Sequence, residues 1–540
     1  MENYTNFSQE QIKLLEKYVS NITGDIFVLK NLPEVIKGAL FSRYSRSSLG
    51  LRSLLLQEFI LNEETGFNDI AGGSCSVEQQ DVAIKKAQNF YDRILDGYGD
   101  DSIGELGGAH LALENISMLA AKAIEDCRIG GSPLEKSTRY IPFDQKKNNE
   151  YCFYKEPILM TSAYRDLYVQ TCNLLFDTYS KLIPPLTTLM EKKCPPEHQI
   201  SKTAYTAALR AKVLDCLRGI LPPSAQTNVG IFGNGRFFEH LLQKLNTSNM
   251  AELQELGRSV YAELSKVIPS FIKRTDPTSK YEKAYLQFSE QMNNDLKLLS
   301  SAHSTKIKQE QEKGVYLISY DPEAVYKIAA ALLFEHSHCS FEDLKQHCQT
   351  LPEEELARIL DAACLSRETR RHKSPRALEL ADFTFEIVAD FGIYRDLQRH
   401  RMLTQQRQLL TCDLGYYLPS ELSGTDMEKE YIHVMEQAKK AYDTISQELP
   451  EEAQYVVPMA YNMHWYMNIN LRSLQWLCEL RSSPAGHPNY RYVAQSLADK
   501  VCNVFPIFER FFKFVDFAGH YDLGRMGQEK RRVDKMKLRE

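Results

Sequence analysis

One pattern occurs twice in this chain of 540 residues, and it constrains the fold more than any other feature. Arg218-Gly219-Ile220-Leu221-Pro222 is followed, twelve positions after the proline, by Asn234-Gly235-Arg236. Gln454-Tyr455-Val456-Val457-Pro458 is followed, again twelve positions on, by Asn470-Leu471-Arg472. A second correspondence supports the first. Leu111, Leu113 and Glu114 stand to Phe383, Phe385 and Glu386 at the same offset that separates Cys127 from Arg399. Self-similarity at fixed spacing marks a duplicated unit. We therefore expect two tandem repeats, 1–300 and 301–540, with the polar stretch from Ser300 to Gly314 as the linker.

The length supports two to four domains' worth of core. Apolar residues make up 43% and charged residues 25%, as in an ordinary soluble protein. A net charge of −6 gives no general signal for nucleic acid, so any anion site has to be local. No run approaches the roughly 20 apolar residues of a membrane span. The start of the chain lacks the basic-then-apolar pattern of a secretion signal, and a cytoplasmic location is expected. The twelve cysteines form no Cys-x-x-Cys pair, so neither a metal cluster nor a disulfide framework is expected. Cys127 and Cys412, close to arginines, read either as thiols of lowered pKa or as small buried side chains.

The richest chemistry lies from Tyr394 to Thr404. Phe383 to Ile387 alternates like a strand, and Ala389-Asp390 begins a helical pattern with Asp390 as its cap. Arg395, Arg399, His400 and Arg401 fall within seven positions. Continued as a helix, the stretch puts Arg395 and Arg399 on one face and Asp396 and His400 on another. Clustered guanidinium groups suit a phosphate or pyrophosphate. The alternative is a solvated helix with internal pairs such as Asp396 with His400. Elsewhere the spacing predicts a long helix from Ser162 interrupted at Pro184-Pro185. It also predicts an amphipathic helix from Tyr490 to Val515 and a charged, frayed tail.

Arg399-His400-Arg401, in a strand-then-helix context, resembles the RHR motif of the flavin-dependent thymidylate synthases, the ThyX family, whose fuller signature is RHRxxSxxExSxRY. The second half is absent here: Thr404 holds the first Ser position, and Arg407, Leu409, Thr411 and Cys412 replace Glu, Ser, Arg and Tyr. It occurs instead in the first repeat, where Ser132-Pro133-Leu134-Glu135-Lys136-Ser137-Thr138-Arg139-Tyr140 fits SxxExSxRY and Cys127-Arg128-Ile129 stands at the RHR positions. Gly97 to Leu106 resembles the family's GHxSxxEH segment near the flavin, with Asp100 and Leu106 in place of its histidines. His372 to Glu379 is a looser version of the same segment, two residues longer. The resemblance implies an α+β fold of two ThyX-like α/β repeats, helix-rich with antiparallel or mixed sheets, forming a pseudo-dimer within one chain.

Carried over by position, the resemblance places Glu135, Ser137, Arg139, Arg218, Arg399 and Arg481 on the substrate dUMP, with Arg481 and Arg399 catalytic. It places His372, Arg399, His400, Arg401, Asn234, Arg236, Asn470 and Arg472 on FAD. The losses are complementary: Arg407, Leu409, Thr411 and Gln454 fail in the second repeat, Cys127 and Leu245 in the first. That implies one composite site between unlike halves, and a homodimer forming a pseudo-tetramer. The implied reaction is reductive methylation of dUMP to dTMP with 5,10-methylenetetrahydrofolate and NADPH as co-substrates and no metal. The Gln that precedes RHR by three positions in the family is Asp396 here. A divergent protein that modifies another pyrimidine nucleotide, or binds one without catalysis, is the alternative.

Overall fold

The computed structural model describes residues 7–61, 104–196, 200–305, 307 and 312–538. Residues 62–103, which a sequence reading assigns to a glycine-containing loop over 61–80 and a helix from Val82 to Leu95, and which take in the Gly97 segment as far as Ile103, lie outside the described residues. The strands are β1 (Gly108–Ser117), β2 (Gly131–Glu135), β3 (Lys146–Lys147), β4 (Glu150–Tyr151), β5 (Gln226–Asn234), β6 (Gly314–Tyr320), β7 (Asp382–Asp390), β8 (Thr404–Arg407) and β9 (Asn462–Asn470). They form a three-stranded sheet β1-β5-β2, the β3-β4 hairpin and a four-stranded sheet β6-β7-β9-β8. The four-stranded sheet is antiparallel throughout. With long helices around small antiparallel sheets, the fold is α+β.

The chain divides into two compact units. The first comprises Met1–Leu113, Cys127–Glu135 and Asn228–Ile307, the second Glu114–Asp126, Lys136–Thr227 and Lys308–Glu540. The first holds most of the three-stranded sheet. In the second, β7 is central and its residues Phe383, Phe385 and Ile387 are buried, as the alternation requires.

The duplication is visible in local structure. A short 3₁₀ turn, Arg218–Ile220 or Gln454–Val456, precedes a nine-residue strand, β5 or β9. Each strand ends on an asparagine that caps the next helix: Asn234 accepts from the Phe237 amide at 2.8 Å and Asn470 from the Ser473 amide at 2.9 Å. β1 and β7 likewise lead into capped helices, Met118–Glu125 behind Ser117 and Phe391–Leu397 behind Asp390.

Four readings of the sequence need correction. The Phe391–Leu397 helix stops before the arginine-histidine triplet. Gln398 turns the chain, its side chain donating to the Lys122 carbonyl at 2.9 Å, so that Thr404–Arg407 can return as an edge strand on β9. Arg399, His400 and Arg401 therefore share no helix face with Arg395 or Asp396. The Arg165–Lys193 helix runs through Pro184 and Pro185. Its buried stripe of Leu182, Leu186 and Met190 continues past them, while Thr187 and Thr188 hydroxyls bind the Ile183 and Pro184 carbonyls. Packing against neighbouring helices outweighs the proline penalty here. The last long helix instead ends at Val504, because Phe505, preceding Pro506, is held out of the helical region at φ −126°, ψ 83°. The charged tail is not frayed: it forms the Met526–Lys537 helix, which packs on the Lys202–Leu217 helix.

Candidate functional site

In the second unit the residues singled out above converge on one buried cluster of charges. After Glu135 the chain makes a tight turn in which the Ser137 hydroxyl accepts from the Arg139 amide at 3.3 Å and the Ser137 carbonyl accepts from Tyr140 and Ile141. The turn delivers Arg139 to Asp215 on the Lys202–Leu217 helix. Nε and Nη2 of Arg139 each donate at 2.6 Å to a separate Asp215 oxygen, Nη1 donates to the Tyr490 hydroxyl at 2.8 Å, and Nη2 also donates to the Ala485 carbonyl. Four of its five N–H groups are thus engaged.

One helical turn past Asp215, Arg218 donates to Asp396 at 3.1 Å and to the Gly392 carbonyl at 3.2 Å. Arg481 ends the Leu471–Arg481 helix and donates Nε to His400 Nε2 at 2.9 Å. Its guanidinium lies 5.5 Å from the Tyr490 ring centre, and that of Arg139 lies 5.4 Å from the same ring. Arg139, Asp215, Arg218, Asp396 and His487 are buried, while His400 and Arg481 are half-buried and Arg399 is exposed.

Electrostatics follow from this geometry. Burial alone would raise the pKa of Asp396. The charges of Arg218, Arg139, Arg481 and Arg399 more than reverse that and hold it well below the usual carboxylate range. Burial opposes ionisation of Asp215 too, but Arg139 beside it brings its pKa down to about 2. Both carboxylates are therefore charged. The histidines are neutral. His400 accepts the Arg481 hydrogen bond on Nε2, and burial together with the Arg481 charge holds its pKa well below 6.5. His487 donates Nε2–H to the Asp215 carbonyl at 3.3 Å and accepts the Asn489 amide on Nδ1, and burial with Arg218 lowers its pKa to about 3. Four guanidinium groups against two carboxylates leave a formal excess of two positive charges, matching a phosphate monoester dianion.

His487 makes stability depend on pH. An unfolded histidine protonates near pH 6.5, the folded one near 3, so its contribution is complete above pH 6.5 and is lost as pH falls towards 3. The slope is about 1.4 kcal/mol per pH unit. Urea midpoints are expected to fall between pH 7 and pH 5, and His487→Gln is expected to flatten that dependence. An unchanged dependence in the variant would show that the acid sensitivity arises elsewhere.

Arg472 donates to Glu379 at 2.6 Å and to the Ser374 carbonyl at 2.8 Å, and Asn470 is engaged as a helix cap. His372 is exposed and Arg401 half-buried. In the first unit, Glu135 closes β2, Asn234 caps its helix, and the exposed Arg236 pairs with Glu105 at 3.0 Å. Cys412 is buried and its thiol pKa is pushed up, which settles it as a packing residue. Sequence reasoning passed over Asp215, His487, Asn489 and Tyr490. For Asp215 a signal existed: it and Lys212 are the charges on the apolar run Val213–Leu217 and its approach.

The space around the cluster limits how a ligand enters. A cavity of about 20 Å³ between Asp215, Ala485 and Arg525 is too small for a nucleotide. Arg525 lies over the Tyr140 ring at 4.2 Å, and its Nε and Nη1 find no hydrogen-bond partner among the described residues. The cluster is open to solvent at the exposed Arg399 and the half-buried Arg481. The 440 Å³ cavity of the first unit, along Gly108–Ala112, is lined by Glu34 and Glu263 and is unsuited to an anion. Among the described residues no group of side chains could hold a metal ion, and no helix is long and apolar enough to cross a membrane.

The profile of the family described as thymidylate synthase complementing protein (Thy1) matches residues 63–270 and 316–507, one segment in each expected repeat. A UPF0159 protein of Chlamydia pneumoniae is 52% identical over 97% of this chain and 98% of its own length. One from Chlamydia muridarum is 52% identical over 98% of both chains. A UPF0159 protein of Thermoplasma acidophilum is 31% identical over 92% of this chain and 98% of its own.

Proposed function

From the premise that this chain belongs to the thymidylate synthase complementing protein family, we propose that it is a flavin-dependent thymidylate synthase. It would convert dUMP to dTMP, taking the methylene carbon from 5,10-methylenetetrahydrofolate. The C5 proton of the uracil ring is lost, a hydride completes the methyl group, and NADPH restores the reductant. The observation that carries this reading is the meeting of Arg139 and Arg218 from the first repeat with Arg481 from the second around two buried carboxylates, with a net positive charge.

Within this reading the residues divide the work. Arg399, exposed, and the terminal nitrogens of Arg481, which make no hydrogen bond among the described residues, reach the nucleotide. Arg481 also offsets negative charge developing on the pyrimidine ring during attack from C5. His400, a neutral acceptor, orients Arg481 and supplies no proton. Arg139 and Arg218, held by Asp215 and Asp396, form a fixed positive wall, and Ser137 shapes the turn that carries Arg139. Reduced FAD, when bound, would supply the hydride and be left oxidised for NADPH to reduce again. The side chains fit an anionic dinucleotide. The Arg472–Glu379 pair is 31% and 30% exposed, a surface ion pair worth about 0–1 kcal/mol that a pyrophosphate can displace. Asn470, His372, His400 and Arg401 of the second unit are the other candidate contacts for that dinucleotide.

The test is anaerobic incubation of purified protein with FAD, dUMP, methylenetetrahydrofolate and NADPH, with mass-spectrometric detection of dTMP. Flavin bound and reducible but no dTMP would overturn the assigned substrate. The second reading, a divergent protein acting on another pyrimidine nucleotide or only binding one, is favoured by Asp396, a carboxylate paired with Arg218 where the family has Gln. Asp396→Asn is expected to tighten dUMP binding about tenfold, since it removes a like charge several ångströms from the phosphate. It is also expected to lower the melting temperature, since Arg218 loses its counter-charge. Calorimetric titration checks the first effect and a thermal melt the second. Unchanged affinity would place the phosphate elsewhere.

A further inference from the structure

The Lys280–Ser304 helix is docked on the first unit by one side only. Glu282 and Ser289 are buried there, with Glu282 accepting from Asn246 at 2.8 Å. Its other side carries an uncovered apolar stripe. Tyr281 is 62% exposed, Phe288 62%, Leu296 56% and Leu299 56%, with Tyr285 and Met292 also exposed. Tyr281, Tyr285, Phe288, Met292 and Leu299 fall at the alternating three- and four-residue spacing of a coiled-coil seam, and Asp295 occupies the remaining seam position. The helix lies outside both segments matched by the family, so nothing in the proposed catalysis accounts for the stripe.

We propose that this face pairs with the same face of a second copy of the chain, as an antiparallel two-helix seam about a two-fold axis. The pattern is self-complementary in that direction. Tyr281 meets Leu299 of the second copy, Phe288 meets Met292, and Tyr285 meets Asp295, so that aromatic layers face aliphatic ones. The Tyr285 phenol can donate to the Asp295 carboxylate, which among the described residues of the single chain accepts only from Gln291, at 2.9 Å. A parallel pairing would set Asp295 against Asp295 of the second copy, two like charges at one layer. The exposed apolar area of the stripe is roughly 600 Å², so pairing hides about 1,200 Å², the lower bound for stable specific interfaces. Single exposed hydrophobics need no explanation, but a contiguous stripe of this size marks an interaction surface.

The full chain is compared with the double variant Phe288→Glu, Met292→Glu by sedimentation equilibrium, with circular dichroism as the control for folding. The variant is expected to have half the mass of the unaltered protein and the same melting curve. Equal masses for the two proteins overturn the proposal, whether both are monomers or both the same larger species. The direction is tested by mixing a Tyr281→Cys chain with a size-tagged Leu299→Cys chain. Oxidation is expected to link the mixed pair beyond the background of the unaltered protein. Linkage of Tyr281→Cys chains to one another alone would overturn the antiparallel order.

Discussion

Asp215→Ala is expected to destabilise the second unit by about 3–5 kcal/mol, because it strands the buried Arg139 guanidinium without its counter-charge. The Arg139–Asp215 pair is bidentate, and both side chains are only 8% exposed, so solvent can offer little compensation. The melting temperature should fall by roughly 5–10 °C. The logic separates charge from packing. Asp215→Asn keeps one acceptor and should cost less. The double variant Arg139→Ala, Asp215→Ala removes both charges and should be less destabilised than the two single losses combined, by about 2 kcal/mol. A single variant that melts within a degree of the unaltered protein would mean that Tyr490 and the Ala485 carbonyl alone hold Arg139.

Arg481→Ala is expected to lower kcat for dTMP formation by about 10²–10³, the usual consequence of losing one preorganised donor to a developing charge, about 2.7–4 kcal/mol. The fold should survive, since Arg481 is half-buried and its one hydrogen bond among the described residues runs to a neutral histidine. Arg481→Lys should restore part of the rate, as charge remains but the planar fork and its stacking on Tyr490 do not. The informative split is between kcat and KM. A rise in the KM for dUMP at constant kcat would assign Arg481 to ground-state binding and leave the charge developing at the pyrimidine to another group.

The features legible in the sequence were those written locally. Asn234 and Asn470 each sit at a strand-to-helix junction, where a side-chain cap is a matter of three residues, and so the repeated motif gave element order and the duplication together. Asp390 was readable as a cap for the same reason. The pairings that make the site were not readable, because they are long-range: Asp215 is 76 residues from Arg139 and Asp396 is 178 residues from Arg218. Periodicity reported Asp396 as a neighbour of His400 on one helix, and the helix ended first because Gln398 had a partner at Lys122, far away in sequence. Pro184 and Pro185 misled in the opposite direction. Their local cost is real, but the stripe of buried leucines around them decides the backbone.

The chain passes between its two compact units five times before the second is complete, and this has a consequence for synthesis. The Met118–Glu125 helix belongs to the second unit, yet the glutamine that binds its Lys122 carbonyl is made 276 residues later. At translation rates of about 5–20 residues per second, that delay is roughly 15–55 s. During this interval the segment bearing Lys122 and Glu125, which end as a deeply buried pair, waits on the ribosome without its finishing partner. A ribosome-bound fragment ending near residue 300 should therefore be cut by protease within 114–126 at sites that the full-length protein shields.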